Sequence, residues 1–293
     1  MDPQGPAVRE LAEPAAGAGS RVGREGRLEL AFARVRGRTV LTRRRFELPL
    51  QFLEPIDLAG DGSVCAPLVN PTGGVLGGDR LTTRIQVGAD ASVCVTTPSA
   101  TRVYRCDRRP ARTFTRVEVG PGGVLEYLPL HLIPHPGAEL VQRLRVEVAE
   151  GGRAIVWDAL ALGRVARGEA WSFARLDLET RIFAAGRLAF LDSVRLACTG
   201  AAPAPDPAAG RGYVGTLVAV GPADADWAAW AAELERAPAP SGARVGASAI
   251  GSGGLVARVL AATAADLEAL AIDRWAALRR LLLGRRPLDL RRS

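Results

Sequence analysis

Apolar and polar residues alternate along most of this chain. Residues 27–35 (RLELAFARV) place an apolar side chain at every second position, the period of a strand with one buried face. Residues 38–53 predict one long bent strand or two shorter ones. Residues 81–87 and 91–97 read as strands joined by Gly88-Ala89-Asp90, a hairpin signal. Residues 112–119 and 123–128 are separated by the turn sequence Gly120-Pro121-Gly122. Further strands are predicted over 140–149, 154–162, 171–182, 187–197, 213–220, 244–250 and 254–261.

Helical periodicity enters only near the C-terminus. Trp227, Trp230, Ala231 and Leu234 recur at i, i+3, i+4 and i+7, with Asp224 as the expected cap. Thr263 and Asp266 resemble a capping box ahead of a second apolar stripe, Leu267, Leu270, Ala271, Trp275, Leu278 and Leu282. Gly284 and Pro287 end that helix. Residues 1–26 show no periodicity and read as a disordered tail. Residues 200–210 (GAAPAPDPAAG) read as a loop or linker between a β-rich body over 27–199 and a C-terminal α+β portion over 211–293 of the same domain. The fold class is therefore mainly β, with two late helices. A sandwich, a barrel and a β-solenoid all suit the strand spacing.

Composition narrows the function classes. The 293 residues suffice for a large core without disulfide staples. The net charge is +7, and every one of the 38 basic residues is Arg. The arginines are scattered in short clusters, such as Arg43-Arg44-Arg45, and aromatic residues make up only 5%. A basic β protein that binds nucleic acid is one reading of that charge; an acidic protein partner explains it equally well. Cys65, Cys94, Cys106 and Cys198 fit no zinc spacing and read as buried thiols in a reducing compartment. No stretch resembles a signal peptide or a membrane span, so a cytoplasmic protein is expected.

Four segments could carry chemistry. Asn70 to Asp79 (NPTGGVLGGD) contains Gly73, Gly74, Gly77 and Gly78, which permit close backbone approach. The run lacks the Gly-Lys-Ser/Thr of a phosphate-binding loop, so a tight connection stabilised by Asp79 is expected. Thr96-Thr97-Pro98-Ser99 crowds small hydroxyls at a turn ahead of Tyr104 and Arg105. A small-substrate hydrolase would need Ser99 with one of the two histidines, but no nucleophile elbow surrounds it. The expectation is that the hydroxyls serve backbone groups and that an internal carboxylate holds Arg105. His131 and His135 lie four apart across Pro134, too few ligands for a complete metal shell, though imidazole suits Ni²⁺ or Zn²⁺. Glu126, Asp158, Glu169 and Asp192 are isolated carboxylates on apolar strands, expected to be solvated, Arg-paired or set along a water-filled passage.

The run PTGGVLGGD followed by VTTPSATRVYRC resembles the signature of the UreD (UreH) family of urease accessory proteins. The similarity continues through LEYLPLHLIPHPGAEL, VWDALALGRVARGEAW, YVGTLVAV and DRWAALRRLLLGRRP, in the family's order. The resemblance implies a right-handed superhelix of stacked strands with a small helical portion. It implies a non-enzymatic maturation factor that binds UreF, recruits the GTPase UreG, docks on apo-urease and guides nickel through an internal passage. No cofactor would be permanently bound, and Ni²⁺ would be a transient cargo. Carried over by position, Gly73, Gly74, Gly77, Gly78, Thr96, Pro98 and Gly163 are structural, and Asp79, Thr97, Tyr104, Arg105, Glu126, Asp158 and Glu169 are candidates for the passage. His131 and His135 remain weak metal candidates.

Overall fold

The structure, a computed structural model, describes residues 23–198, 208, 210–251 and 253–290. Most of the expected tail and most of the expected linker at 200–210 lie outside the described residues. The first strand, β1 (Glu25–Val35), begins two residues earlier than the alternation suggested, and it pairs antiparallel with β2 (Arg38–Glu47). β3 (Gln51–Phe52) then leads into a coil of strands. Each turn of the coil visits three faces: β4 (Val64–Val69), β5 (Gly74–Val75) and β6 (Arg80–Val87); next β7 (Ser92–Thr96), β8 (Thr101–Val103) and β9 (Ala111–Val119). The third turn holds β10 (Val124–Leu128), β11 (Leu132–Pro134) and β12 (Glu139–Val148). The fourth holds β13 (Arg153–Ala161), the small β14/β15 ribbon (Gly163–Arg164 and Glu169–Ala170) and β16 (Arg175–Ala184).

Corresponding strands of successive turns pair in parallel: β6 with β9, β9 with β12, β12 with β16 on one face, and β4 with β7, β7 with β10, β10 with β13 on another. The short strands β5, β8 and β11 form the third ladder. This is a solenoid-like stack with a repeat of roughly thirty residues, inside the range of known repeat architectures. The Gly88-Ala89-Asp90 segment is consequently not a hairpin. It carries the chain from one sheet to the other, because the partners of β6 and β7 lie one coil away, not next in sequence. A turn signal specifies a change of direction but not the strand that will be met afterwards. The strand expected over 171–182 likewise starts at Arg175; Trp171 has a φ of 59° and breaks the extended backbone before it.

Antiparallel strands close both ends of the first sheet, β1/β2 at one and β16 with β17 (Arg187–Ala197) at the other. β18 (Tyr213–Val220), β19 (Arg244–Ile250) and β20 (Gly254–Ala261) extend the second sheet antiparallel beyond β13. Between β18 and β19 lies α1 (Trp227–Arg236), whose cap is Asp226 and not Asp224: its Oδ1 accepts from the Ala229 N–H at 3.0 Å. α2 (Ala264–Leu283) begins at Thr263, whose hydroxyl accepts from the Asp266 N–H at 3.1 Å, and ends at the left-handed Gly284. All six residues of the apolar stripe are buried. No helix among the described residues is long and apolar enough to cross a membrane.

The second sheet is covered on both sides. Its outer face packs Trp157, Leu217 and Val259 against Trp227, Leu270 and Trp275 of the helices. Its inner face meets the first sheet across the solenoid interior, where Leu30, Ile85, Val117, Val146, Ile182 and Phe190 stack in one register row of buried side chains. Like side chains one above another on successive coils bury a continuous apolar column, which no single turn could do alone.

Candidate functional site

The next register row inside the first sheet is different in chemistry. It reads Leu28, Thr83, Thr115, Leu144, Thr180 and Asp192. Strand alternation sends these side chains to the same inner face as the apolar column. Facing them from the second sheet are Asp158, Thr216 and Arg258, which are direct neighbours across β13, β18 and β20. The interior thus contains a polar seam between apolar layers.

Two cavities follow that seam. The first, of 170 Å³, lies under the glycine loop and the Thr-Pro turn and is lined by Gly73, Gly74, Thr97, Pro98, Tyr127, Gln142 and Asp158, among others. The second, of 230 Å³, is lined by Asp158, Trp171, Thr180, Asp192, Thr216 and Arg258. Asp158 borders both. Its Oδ2 accepts from the Thr180 hydroxyl at 3.1 Å. Burial raises its pKa from 3.8 to about 6, against the lowering effect of the Thr180 hydrogen bond. Burial also pushes the Tyr127 phenol up to about 12, assisted by the charge of Asp158. At the outer end Arg258 Nη1 holds Asp192 Oδ2 at 2.6 Å and donates to the Thr216 hydroxyl at 2.9 Å.

The other sequence-selected residues sit apart from this seam. Asp79 is nearly fully buried and ties the glycine loop: its Oδ1 accepts from the Arg24 N–H and its Oδ2 from the Leu76 N–H, both at 2.9 Å. A Cβ at Gly74 would lie 2.5 Å from the Arg102 carbonyl, and Gly78 has a φ of 84°, so both need glycine. Gly77 packs on Cys106 and Gly73 under Tyr104, and Asn70 braces the loop by donating to the Gly74 carbonyl at 2.8 Å. The loop is a braced connection that runs from β4 through β5 to β6. Asp79→Ala strands two backbone donors, and an expected loss of about 2–3 kcal/mol should appear as a lower urea midpoint with an unchanged slope.

Thr96 donates to the Leu128 carbonyl at 2.9 Å, and the Thr97 hydroxyl accepts from the Leu130 N–H at 2.9 Å, so both hydroxyls bind backbone between coils. Arg105 is not held internally: it pairs at 3.0 Å with Asp107, and both side chains are exposed. Beyond β8 the chain bridges to Ala138, and the Arg105 side chain lies across Gly137 at the surface, next to Asp107. Glu169 pairs with Arg164 at 3.1 Å beside Gly163, which lies so close to β15 that a Cβ would meet the Glu169 carbonyl at 2.3 Å.

Glu126 faces the opposite side of the second sheet. It is buried against α2, where its Oε2 accepts from Trp275 Nε1 at 2.6 Å and contacts Arg279 Nε at 2.8 Å. Burial raises its pKa, while the Arg279 charge and the Trp275 hydrogen bond oppose the rise. His131 and His135 flank β11, edge-on to Tyr213 and Tyr104 with ring centroids 5.7 and 4.9 Å apart. Among the described residues no group of three or more His, Cys, Asp and Glu side chains is arranged to hold a metal ion. Of the seven passage candidates, then, the structure brings Thr97 and Asp158 to one cavity and places Asp79, Tyr104, Arg105, Glu126 and Glu169 elsewhere. Thr83, Thr115, Gln142, Thr180, Thr216 and Arg258 join the seam without having been singled out by sequence. The signal was available for the four threonines and Gln142, which share strand parity with buried neighbours; Arg258 is half-exposed and lies out of phase with buried Ala257 and Val259, so alternation did not mark it.

A stack of parallel coils capped by antiparallel strands, with two helices on its flank, defines a mainly β, solenoid-like fold. The chain belongs to the UreD family: the family model described as UreD urease accessory protein matches residues 24–293. It is 36% identical over 276 residues to the urease accessory protein UreD of Cupriavidus metallidurans, covering 90% of this chain and 92% of that protein. It is 35% identical over 275 residues to that of Ralstonia nicotianae, covering 91% and 93%, and 35% identical over 273 residues to that of Deinococcus radiodurans, covering 92% and 95%.

Proposed function

We propose that this chain is a urease maturation factor that passes nickel along the Asp158 seam while scaffolding UreF and UreG on apo-urease. The observation that carries the reading is one carboxylate bordering two cavities along the polar seam. Its side-chain partners are the Thr180 hydroxyl and the Gln142 amide, whose oxygens are weak donors for a borderline cation. A carrier must release what it binds, so sparse donors suit transit better than a complete ligand shell would. Above about pH 6 Asp158 is ionised and supplies a negative charge inside the passage. The chemistry asked of the chain is placement and not turnover, and its nickel is cargo and not a resident cofactor.

The test is the nickel content of the cognate urease, purified from cells with and without this chain while the other accessory proteins are present. Nickel-replete urease is expected only with the chain. Equal nickel in both preparations, under limiting supply, would overturn the maturation role.

A further inference from the structure

A third concavity, of 480 Å³, shares no lining residue with the two cavities of the seam. It lies where β8, β11 and the 3-10 turn Val165–Arg167 meet, and its polar lining is Arg102, Arg164, Arg167, His135, Tyr104 and Tyr213. Four cationic or potentially cationic groups therefore share one cleft. Glu169 supplies one carboxylate, and Arg164 takes it at 3.1 Å. Arg102 and Arg167 have no ion-pair partner among the described residues.

The three arginines are placed by different elements. Arg102 projects from β8 beside the buried Val103. Arg164 is fixed by its pair with Glu169, and Arg167 ends a single helical turn closed by the left-handed Gly168. Their combined field is felt at His135. Its imidazole is held below the usual histidine range by burial first, then by Arg164, Arg102 and Arg167, with Glu169 acting in the opposite sense.

We propose that this cleft binds a multiply charged oxyanion of the phosphate type. A single internal carboxylate leaves two guanidiniums uncompensated, and one further carboxylate would not satisfy both. A phosphate group has enough charge and enough acceptor oxygens to take hydrogen bonds from several guanidinium forks at once. The volume lies within the range of small-ligand sites, and the tyrosine rings supply apolar walls beside the charged groups. This inference does not depend on the nickel reading, since it uses none of the seam residues.

The full-length chain contains two histidines, so its imidazole Cε1–H resonances are two lines, assigned by His131→Gln. Sodium pyrophosphate is titrated at an ionic strength held constant with sodium chloride. The His135 line is expected to move saturably, and its pKa to rise, because a bound anion favours the imidazolium. Arg102→Gln with Arg167→Gln should weaken binding about tenfold or more. Without ligand, the same double variant should already raise the His135 pKa by removing repulsion, which shows that the cleft is folded. No saturable movement, an affinity unchanged in the double variant, or a response to hexaglutamate but not to pyrophosphate would each overturn the proposal.

Discussion

Arg279→Met is expected to lower the unfolding free energy by about 3–5 kcal/mol, the range seen when one partner of a buried ion pair is removed. Arg279 and Glu126 have side-chain exposures of 1% and 2%, so neither can fall back on water. Without the guanidinium, the Glu126 carboxylate keeps the Trp275 N–H and the weaker influence of the Arg285 charge, and must either stay charged in an apolar setting or take up a proton. The guanidinium also sits 5.5 Å over the Trp275 ring, so packing is lost along with charge. Glu126→Gln in the Arg279→Met background should recover much of the loss, because a neutral amide no longer needs a counter-charge. Denaturant midpoints of the two single variants and the double variant give the coupling. Additive losses in the double variant would mean that the pair is not the grip that holds α2 on the sheet.

Asp158→Asn should act in opposite directions on stability and on function. The native state holds the Asp158 proton more tightly than the unfolded chain does, since its pKa rises from 3.8 to about 6. Stability from this group is therefore fully present below about pH 4 and is lost as pH rises through about 6. Each unit of pKa corresponds to about 1.4 kcal/mol, which gives an upper bound of about 3 kcal/mol. Because Asp158 borders cavities, an effect of about 1–2 kcal/mol is expected. The Asn variant should be more stable than the parent at pH 7 by that amount and lack the downward slope between pH 4 and 6. In cells it should reduce urease nickel loading about tenfold, the scale on which one charge along a path alters cation transfer. A variant that is stabilised but loads urease normally would remove Asp158 from the passage and leave the fold reading intact.

The strands and helices were legible because alternation and capping are local. Leu28, Leu30 and Phe32 announce β1 within nine residues, and Thr263 announces α2 within four. The coil came from the family resemblance and not from periodicity, because its repeat is carried by strand position and not by recurring residue identities. Val64, Ser92, Val124 and Arg153 open equivalent strands with three different side chains, one apolar, one hydroxyl and one charged. The seam suffered from the same limit. Thr83 and Thr180 are ordinary strand threonines until parallel stacking sets them in one row with Asp192. Glu126 looked equivalent to Asp158, a lone carboxylate on an apolar strand. Only the two faces of the second sheet distinguish them, one toward the helices and one toward the interior.

The antiparallel strands at the ends of the first sheet bear on how long such a particle can become. A ladder of parallel coils exposes hydrogen-bonding groups at each end, and nothing in its geometry stops another copy from continuing it. Here the last strand at one end is β2, with Arg43, Arg44 and Arg45 all exposed along it. Arg44 pairs with Glu54 and Arg45 with Glu47, so the edge carries a dense set of solvated charges that an identical incoming edge would have to strip of water. A charged, solvated edge of this kind is unfavourable ground for continuation by another copy.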